Sequence, residues 1–71
     1  MKDGSIKEGD VFGNGRDKYL VDYFSYDYDE TRWVNVIIFN ELGRVKTECI
    51  SPARVYDLNF LMNIADSKRD N

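Results

Sequence analysis

One cysteine, Cys49, and no histidine set the limits of the chemistry open to this 71-residue chain. Without an imidazole it lacks the commonest general acid–base, the usual partner of a catalytic Ser or Cys, and the commonest metal ligand. A single Cys cannot supply the N/S ligand set of a zinc site. Cys49 falls in phase with Val45 and Thr47 on an alternating segment. It is therefore expected as a small buried hydrophobe rather than a reactive thiolate, which needs an open, basic surrounding. Asp22, Asp27, Asp29 and Glu30 are close enough in sequence to suggest paired-carboxylate chemistry. Three of the four fall in an expected loop, however, where solvated acids do little acid–base work. Gly13-Asn14-Gly15 has Lys18 where a dinucleotide fingerprint needs its third glycine, and no Gly-Lys-Ser/Thr follows for a phosphate loop. Asp27 and Asp29 begin like a calcium loop, but Arg32 stands where glycine is required. No catalytic residue, cofactor or metal is expected, and the chain does not read as an enzyme.

The residues suited to binding are more distinctive. Asp22 to Glu30 (Asp-Tyr-Phe-Ser-Tyr-Asp-Tyr-Asp-Glu) holds four acids and three tyrosines with no basic residue until Arg32. Tyrosine offers a partner rigid apolar area with a polar tip, and clustered acids steer a basic partner. The candidate partner-binding residues are Asp22, Tyr23, Tyr26, Asp27, Tyr28, Asp29, Glu30 and Trp33. A solvated hairpin whose tyrosines cover the core is the plainer account of the same stretch. A second candidate surface is the Trp33, Ile37 and Phe39 side of the third strand, if Val34, Val36 and Ile38 point inward. Outward aromatics on a strand can stack bases or hold a peptide. The segment Phe60-Leu61-Ile64 needs somewhere to pack, and it is expected to cover that face.

The elements that position these residues come from turn signals at near-regular spacing, the pattern of a small barrel or sandwich. Ile6 to Phe12 reads as a turn feeding a short strand, and Gly13-Asn14-Gly15 as a tight turn. Strands are expected at Lys18–Tyr26, Thr31–Phe39 and Arg44–Ile50, with a loop at Asp27–Glu30. Asn40 to Gly43 forms a hairpin turn in which Gly43 suits a left-handed position. In the fourth strand Val45, Thr47 and Cys49 share one face and Arg44, Lys46 and Glu48 the other. Ser51-Pro52-Ala53-Arg54 opens a helical turn, with Ser51 as N-cap and Pro52 at the first helical position. Val55 to Leu58 could add a short fifth strand, while Phe60 to Ile64 fits strand or helix. The whole is expected as a mainly β, SH3-like barrel of four to five antiparallel strands with one short helical turn near residues 51–56. The alternative is an α+β domain in which Ser51 to Ala65 forms one longer helix.

The Glu8-Gly9-Asp10-Val11-Phe12-Gly13-Asn14-Gly15 opening, the Tyr-rich second strand and the Ser51-Pro52-Ala53-Arg54 step resemble the YorP family. These are small proteins of Gram-positive bacteria and their prophages. The resemblance covers nearly the full length and implies a mostly β fold with a short helix and a phage origin. The family's function is unassigned, so it implies no site residues.

Composition bounds the rest. A chain this short buries only about 60% of its unfolded surface and reads as one domain over residues 1–71, with an ordered core at 6–65 and a frayed polar tail at 66–71. A lone Cys points to a reducing cytoplasm, and no apolar run approaches the roughly 20 residues of a membrane span. A net charge of −3 with scattered basic residues disfavours nucleic acid, although Arg44, Lys46 and Arg54 could gather on one side. The leading expectation is a protein-binding module that engages a host protein through the Tyr/Asp hairpin, as an inhibitor or nucleic-acid mimic. A nucleic-acid-binding barrel and a structural or assembly component are the alternatives.

Overall fold

The densest run of β-branched and aromatic residues becomes the third strand, β3 (Arg32–Asn40), in a computed structural model that describes residues 6–65. β1 (Asp10–Gly13), β2 (Asp17–Tyr26), β4 (Val45–Ile50) and β5 (Asn59–Asn63) complete one antiparallel sheet. A five-residue helix, α1 (Pro52–Tyr56), lies between β4 and β5. The spatial order is β4-β3-β2-β1-β5, so the first four strands form a meander and the fifth returns to the free edge of β1. The class matches the turn spacing: mainly β, five strands, one helical turn before the last. The barrel does not close. β4 and β5 stand at opposite edges and do not pair. A closed seam would bury Lys46 and Glu48 on the inward side of β4, where they now form a 3.3 Å ion pair in reach of water. The tail expected to fray, 66–71, lies outside the described residues.

The inward face holds a core of small branched side chains. Val21, Val34 and Val36 pack with Phe12, Ile38, Ile50 and Ile6, and Val55 of α1 closes over them. The largest fully buried side chains are all valines, which fits strands whose pleated surface favours branching at Cβ. Ser51 is extended and Pro52 opens the helix, as expected, but the Ser51 side chain makes no capping bond. The expected strand at Val55–Leu58 is instead the end of α1 and a turn, because Val55 is drawn onto β3 and Leu58 N–H closes on the Val55 carbonyl at 2.9 Å.

Two irregularities set which face each residue takes. In β2 the register to β3 shifts between Val21 and Tyr23, leaving Asp22 at a bulge. Between β1 and β5 it shifts at Val11/Phe12, which leaves Leu61 without a ladder partner. Leu61 then leans over Gly13, where an added Cβ would sit 3.0 Å from its Cδ1, so a larger residue there would make the half-exposed Leu61 side chain give way slightly.

The β4 alternation was expected the other way round. Register places Ile50 opposite Val34, Glu48 opposite Val36 and Lys46 opposite Ile38, so the even residues face inward and Val45, Thr47 and Cys49 face out. Cys49 is exposed rather than buried. The reason is position. β4 is an edge strand, and only its Ile50 end is buried.

Candidate functional site

The β2–β3 loop is organised by one carboxylate. Asp27 Oδ1 accepts the backbone N–H groups of Asp29 (2.9 Å) and Thr31 (3.0 Å), while Oδ2 accepts the Trp33 indole N–H at 3.1 Å. The backbone closes the loop as well: Glu30 N–H donates to the Asp27 carbonyl at 2.9 Å, and Asp27 N–H to the Thr31 carbonyl at 3.2 Å. Asn and Asp favour such bonds to the chain just ahead of them. Bonding to Trp33, then to Thr31, holds the Asp27 carboxyl below its ordinary range, because hydrogen bonds to the charged form favour it. Glu30 takes up a left-handed conformation, φ +64°, which a side-chain-bearing residue adopts at a cost. No sequence signal marked it, since Gly or Asn is the usual occupant.

The consequence is a fixed tip. Tyr28 stands at its apex, 99% exposed, beside the exposed Asp29 and Glu30. Among the described residues neither acid forms an ion pair.

The eight candidate residues are not brought together as one patch. Tyr28, Asp29 and Glu30 form the tip, with Asp27 engaged beneath them as the brace rather than as a free contact. Tyr23 and Trp33 lie on the outward sheet face, opposite Asn35 and Ser25 respectively, and Asn35 Nδ2 donates to Ser25 Oγ at 3.0 Å. Tyr26 is paired with Arg32 and takes the other face, where the Arg32 guanidinium lies 4.4 Å from the Phe24 ring centroid. Asp22 sits at the bulge and borders an open hollow with Tyr23, Asn35, Thr47 and Cys49.

No protein-family model, curated protein or solved structure matches the chain.

The second candidate surface is larger than the sequence suggested. Trp33, Ile37 and Phe39 do point outward, but the C-terminal segment does not cover them. It becomes β5 and hydrogen-bonds to β1, two strands away from β3, while Phe60 turns to the inward side and meets Phe12 edge-on at 5.6 Å. The ladder instead aligns Met62, Val11, Leu20, Ile37 and Thr47 across the outward face, with Phe39 and Val45 paired alongside. Leu20 and Met62 were missed as surface residues. The available signal was the unbroken apolar pair Leu20-Val21, since a strand apolar on both sides expects cover on both.

The basic residues do not assemble into one track. Arg44 and Lys46 border a common hollow that also holds Asp17. Lys46 is already paired with Glu48, and Arg54 lies on α1 outside that hollow. No helix among the described residues is long and apolar enough to cross a membrane.

Proposed function

We propose that the chain is a protein-binding module that presents Tyr28, flanked by Asp29 and Glu30, to a partner with an apolar pocket rimmed by basic groups. The observation that carries this reading is an almost wholly exposed aromatic on a loop held by three side-chain and two backbone hydrogen bonds. A residue with no contacts in its own fold gains nothing for stability from being Tyr. Ordering the loop in advance removes part of the entropy cost of binding, and Tyr is favoured as an anchor at interface centres. The flanking acids raise the encounter rate with a basic surface, an effect that weakens with salt. The resemblance to a prophage family makes the partner a host protein, and an acidic, aromatic tip suits inhibition of one that handles nucleic acid. The setting is the reducing cytoplasm, in which an exposed Cys49 thiol stays free.

The test is a photo-crosslinking residue placed at position 28 in living cells. A discrete protein adduct is expected, reduced at least tenfold when Asp29 and Glu30 are both changed to Lys. Absence of any adduct, or one untouched by the charge reversal, would refute the reading, and crosslinking to nucleic acid would replace it with the nucleic-acid alternative.

A further inference from the structure

The turn between β1 and β2 sets an asparagine directly before a glycine, Asn14-Gly15, a pairing that occurs nowhere else in the chain. Asn14 is folded forward onto its own backbone. Its Oδ1 accepts the N–H groups of Arg16 at 3.0 Å and Asp17 at 2.9 Å. That bonding swings the side-chain carbonyl over the Asn14–Gly15 peptide, so Cγ and the Gly15 nitrogen belong to one hydrogen-bonded ring. Two N–H donors on Oδ1 also draw electron density from Cγ and stabilise negative charge developing on the oxygen, as an oxyanion hole does. The attacking and leaving groups are equally free. Among the described residues no hydrogen bond uses the Gly15 N–H or the Asn14 Nδ2. Gly15 has φ +97° with open space where a Cβ would stand, and it borders an open hollow with Arg16, Asn40 and Leu42 through which water reaches it.

From this geometry we propose that Asn14 is a site of spontaneous modification, closing onto the Gly15 nitrogen and reopening with water to an aspartyl or isoaspartyl residue. Asparagine is among the thermolabile side chains, and this turn supplies what its reaction requires. In the first step the Gly15 nitrogen bonds to Asn14 Cγ and the Cγ–Nδ2 bond breaks. The Gly15 amide proton passes through solvent to Nδ2, which leaves as ammonia. Water then adds to one of the two imide carbonyls. Cleavage at Cγ leaves an aspartate in the ordinary chain, and cleavage at the main-chain carbonyl leaves an isoaspartyl link. No electrons change hands, and water is the co-reactant. The two products differ in their effect on the sheet. An aspartate keeps an oxygen that accepts both N–H bonds. An isoaspartyl link lengthens the main chain by one methylene between Asn14 and Gly15. The bond from Asn14 N–H to the Asp17 carbonyl at 3.2 Å and the Gly13–Lys18 pairing both span that insertion, so the hairpin closes one atom out of step. β1 is also the strand that joins β5 to the rest of the sheet. The site lies at the opposite end of β2 from the Tyr28 loop, so it stands or falls separately from the role of Tyr28.

Peptide mapping of the folded full chain during incubation at neutral to mildly alkaline pH decides it. Asn14 is expected to convert at least about tenfold faster than Asn35, Asn40, Asn59 or Asn63, giving both products. The native chain should convert at least as fast as the same chain in urea, because the turn presents Cγ to the Gly15 nitrogen rather than shielding it. Gly15→Ala, measured in urea where folding plays no part, should slow conversion at least about tenfold, since a Cβ crowds the attacking nitrogen. The isoaspartyl product, separated by chromatography, should lose amide-exchange protection at Asn14 and along β1 before β3, while Asn14→Asp keeps it. Conversion of Asn14 no faster than that of the other asparagines, or slower in the native chain than in urea, overturns the proposal. An isoaspartyl product as well protected as the unmodified chain overturns the effect assigned to the turn.

Discussion

Replacing Asn63 by Ala should remove the main side-chain fastening of β5 and cost a large share of the stability of the whole domain. Beyond its backbone ladder to β1 and the Phe12–Phe60 contact, β5 has little side-chain burial to hold it. Four of its five residues are exposed, and Asn63, 7% exposed, is the exception. Its Nδ2 donates to Asp10 Oδ1 at 2.7 Å and to the Glu8 carbonyl at 3.2 Å, and its Oδ1 accepts the Ala65 N–H at 2.8 Å. Asp10 is itself only 3% exposed and uses its other oxygen to accept the Lys7 N–H at 2.8 Å. The Ala variant therefore loses three hydrogen bonds and strands Asp10 Oδ1 in a buried place. A buried polar group left without its partner costs about 1–3 kcal/mol, and with the two backbone bonds the loss should reach about 2–4 kcal/mol. A domain of this length has a total stability of roughly 4–10 kcal/mol, so the midpoint of thermal unfolding should fall by on the order of 10–25 °C.

The measurement is urea unfolding followed by Trp33 fluorescence and circular dichroism together, with Asn59→Ala as the control. Asn59 lies on the same strand, is exposed, and pairs through its backbone with Gly13; its variant should change stability by less than about 0.5 kcal/mol. Asp10→Ala completes a double-mutant cycle, in which the two changes together should cost at least about 1 kcal/mol less than their sum. Amide exchange adds a spatial check: in Asn63→Ala the β5 amides should lose protection before those of β2 and β3. An Asn63→Ala loss indistinguishable from that of Asn59→Ala, or strict additivity in the cycle, would refute the clamp.

Three smaller predictions concern the loop and the edge. The Asp27 carboxyl is held below its ordinary range chiefly by the Trp33 indole and then by the Thr31 amide. Its contribution to loop order is therefore complete above the ordinary carboxylate range, near pH 4, and disappears as pH falls through the lowered value. The Trp33 indole N–H resonance should titrate with an apparent midpoint below that of a free aspartate, and Asp27→Asn should abolish the titration; a midpoint at the ordinary value would contradict the bonding. Glu30→Gly relieves a left-handed residue at φ +64° and should raise stability by about 0.5–1 kcal/mol in chemical denaturation, with no gain counting against that backbone geometry. The exposed Cys49 should react with a thiol reagent in the native chain at a rate independent of unfolding, whereas the rate of a core cysteine would be limited by unfolding.

How much of this was legible in the sequence depended on whether a signal was local. Gly43 adopts φ +83° at the β3–β4 turn, and Pro52 opens α1; both follow from the backbone preferences of single residues. The inward set Val34, Val36 and Ile38 follows from period-two alternation within one strand. Cys49 failed on the same rule, because β4 alternates between an apolar set and a charged set and the natural inference buries the apolar one. Edge position reverses this. At the open end of the sheet Lys46 and Glu48 reach water from the inward side, their inward charges discouraging another strand from adding there, and the apolar set turns outward with Trp33, Ile37 and Phe39. No residue of β4 announces that it will be an edge. That is decided by where β5 (Asn59–Asn63) goes, and the strand it joins, β1 (Asp10–Gly13), lies at the opposite end of the described chain.

The same non-local choice links the fold to the candidate surfaces. Had the C-terminal segment folded back over β3, as its apolar content suggested, the outward face would be a second core and Trp33 part of it. What directs it to β1 instead is the buried Asp10–Asn63 pair, joined across 53 positions of sequence, with the Phe12–Phe60 contact beside it. One hydrogen-bonded pair thus does two things: it completes the sheet, and it keeps the C-terminal segment off Trp33, Ile37 and Phe39. The consequence is directional. A variant that releases β5 should expose the β1 edge, yet leave the Asp27–Trp33 brace and the Tyr28 tip intact, since that loop is held within residues 27–33. Loop order and completion of the sheet edge are separable properties of this fold, and Asn63 acts on only one of them.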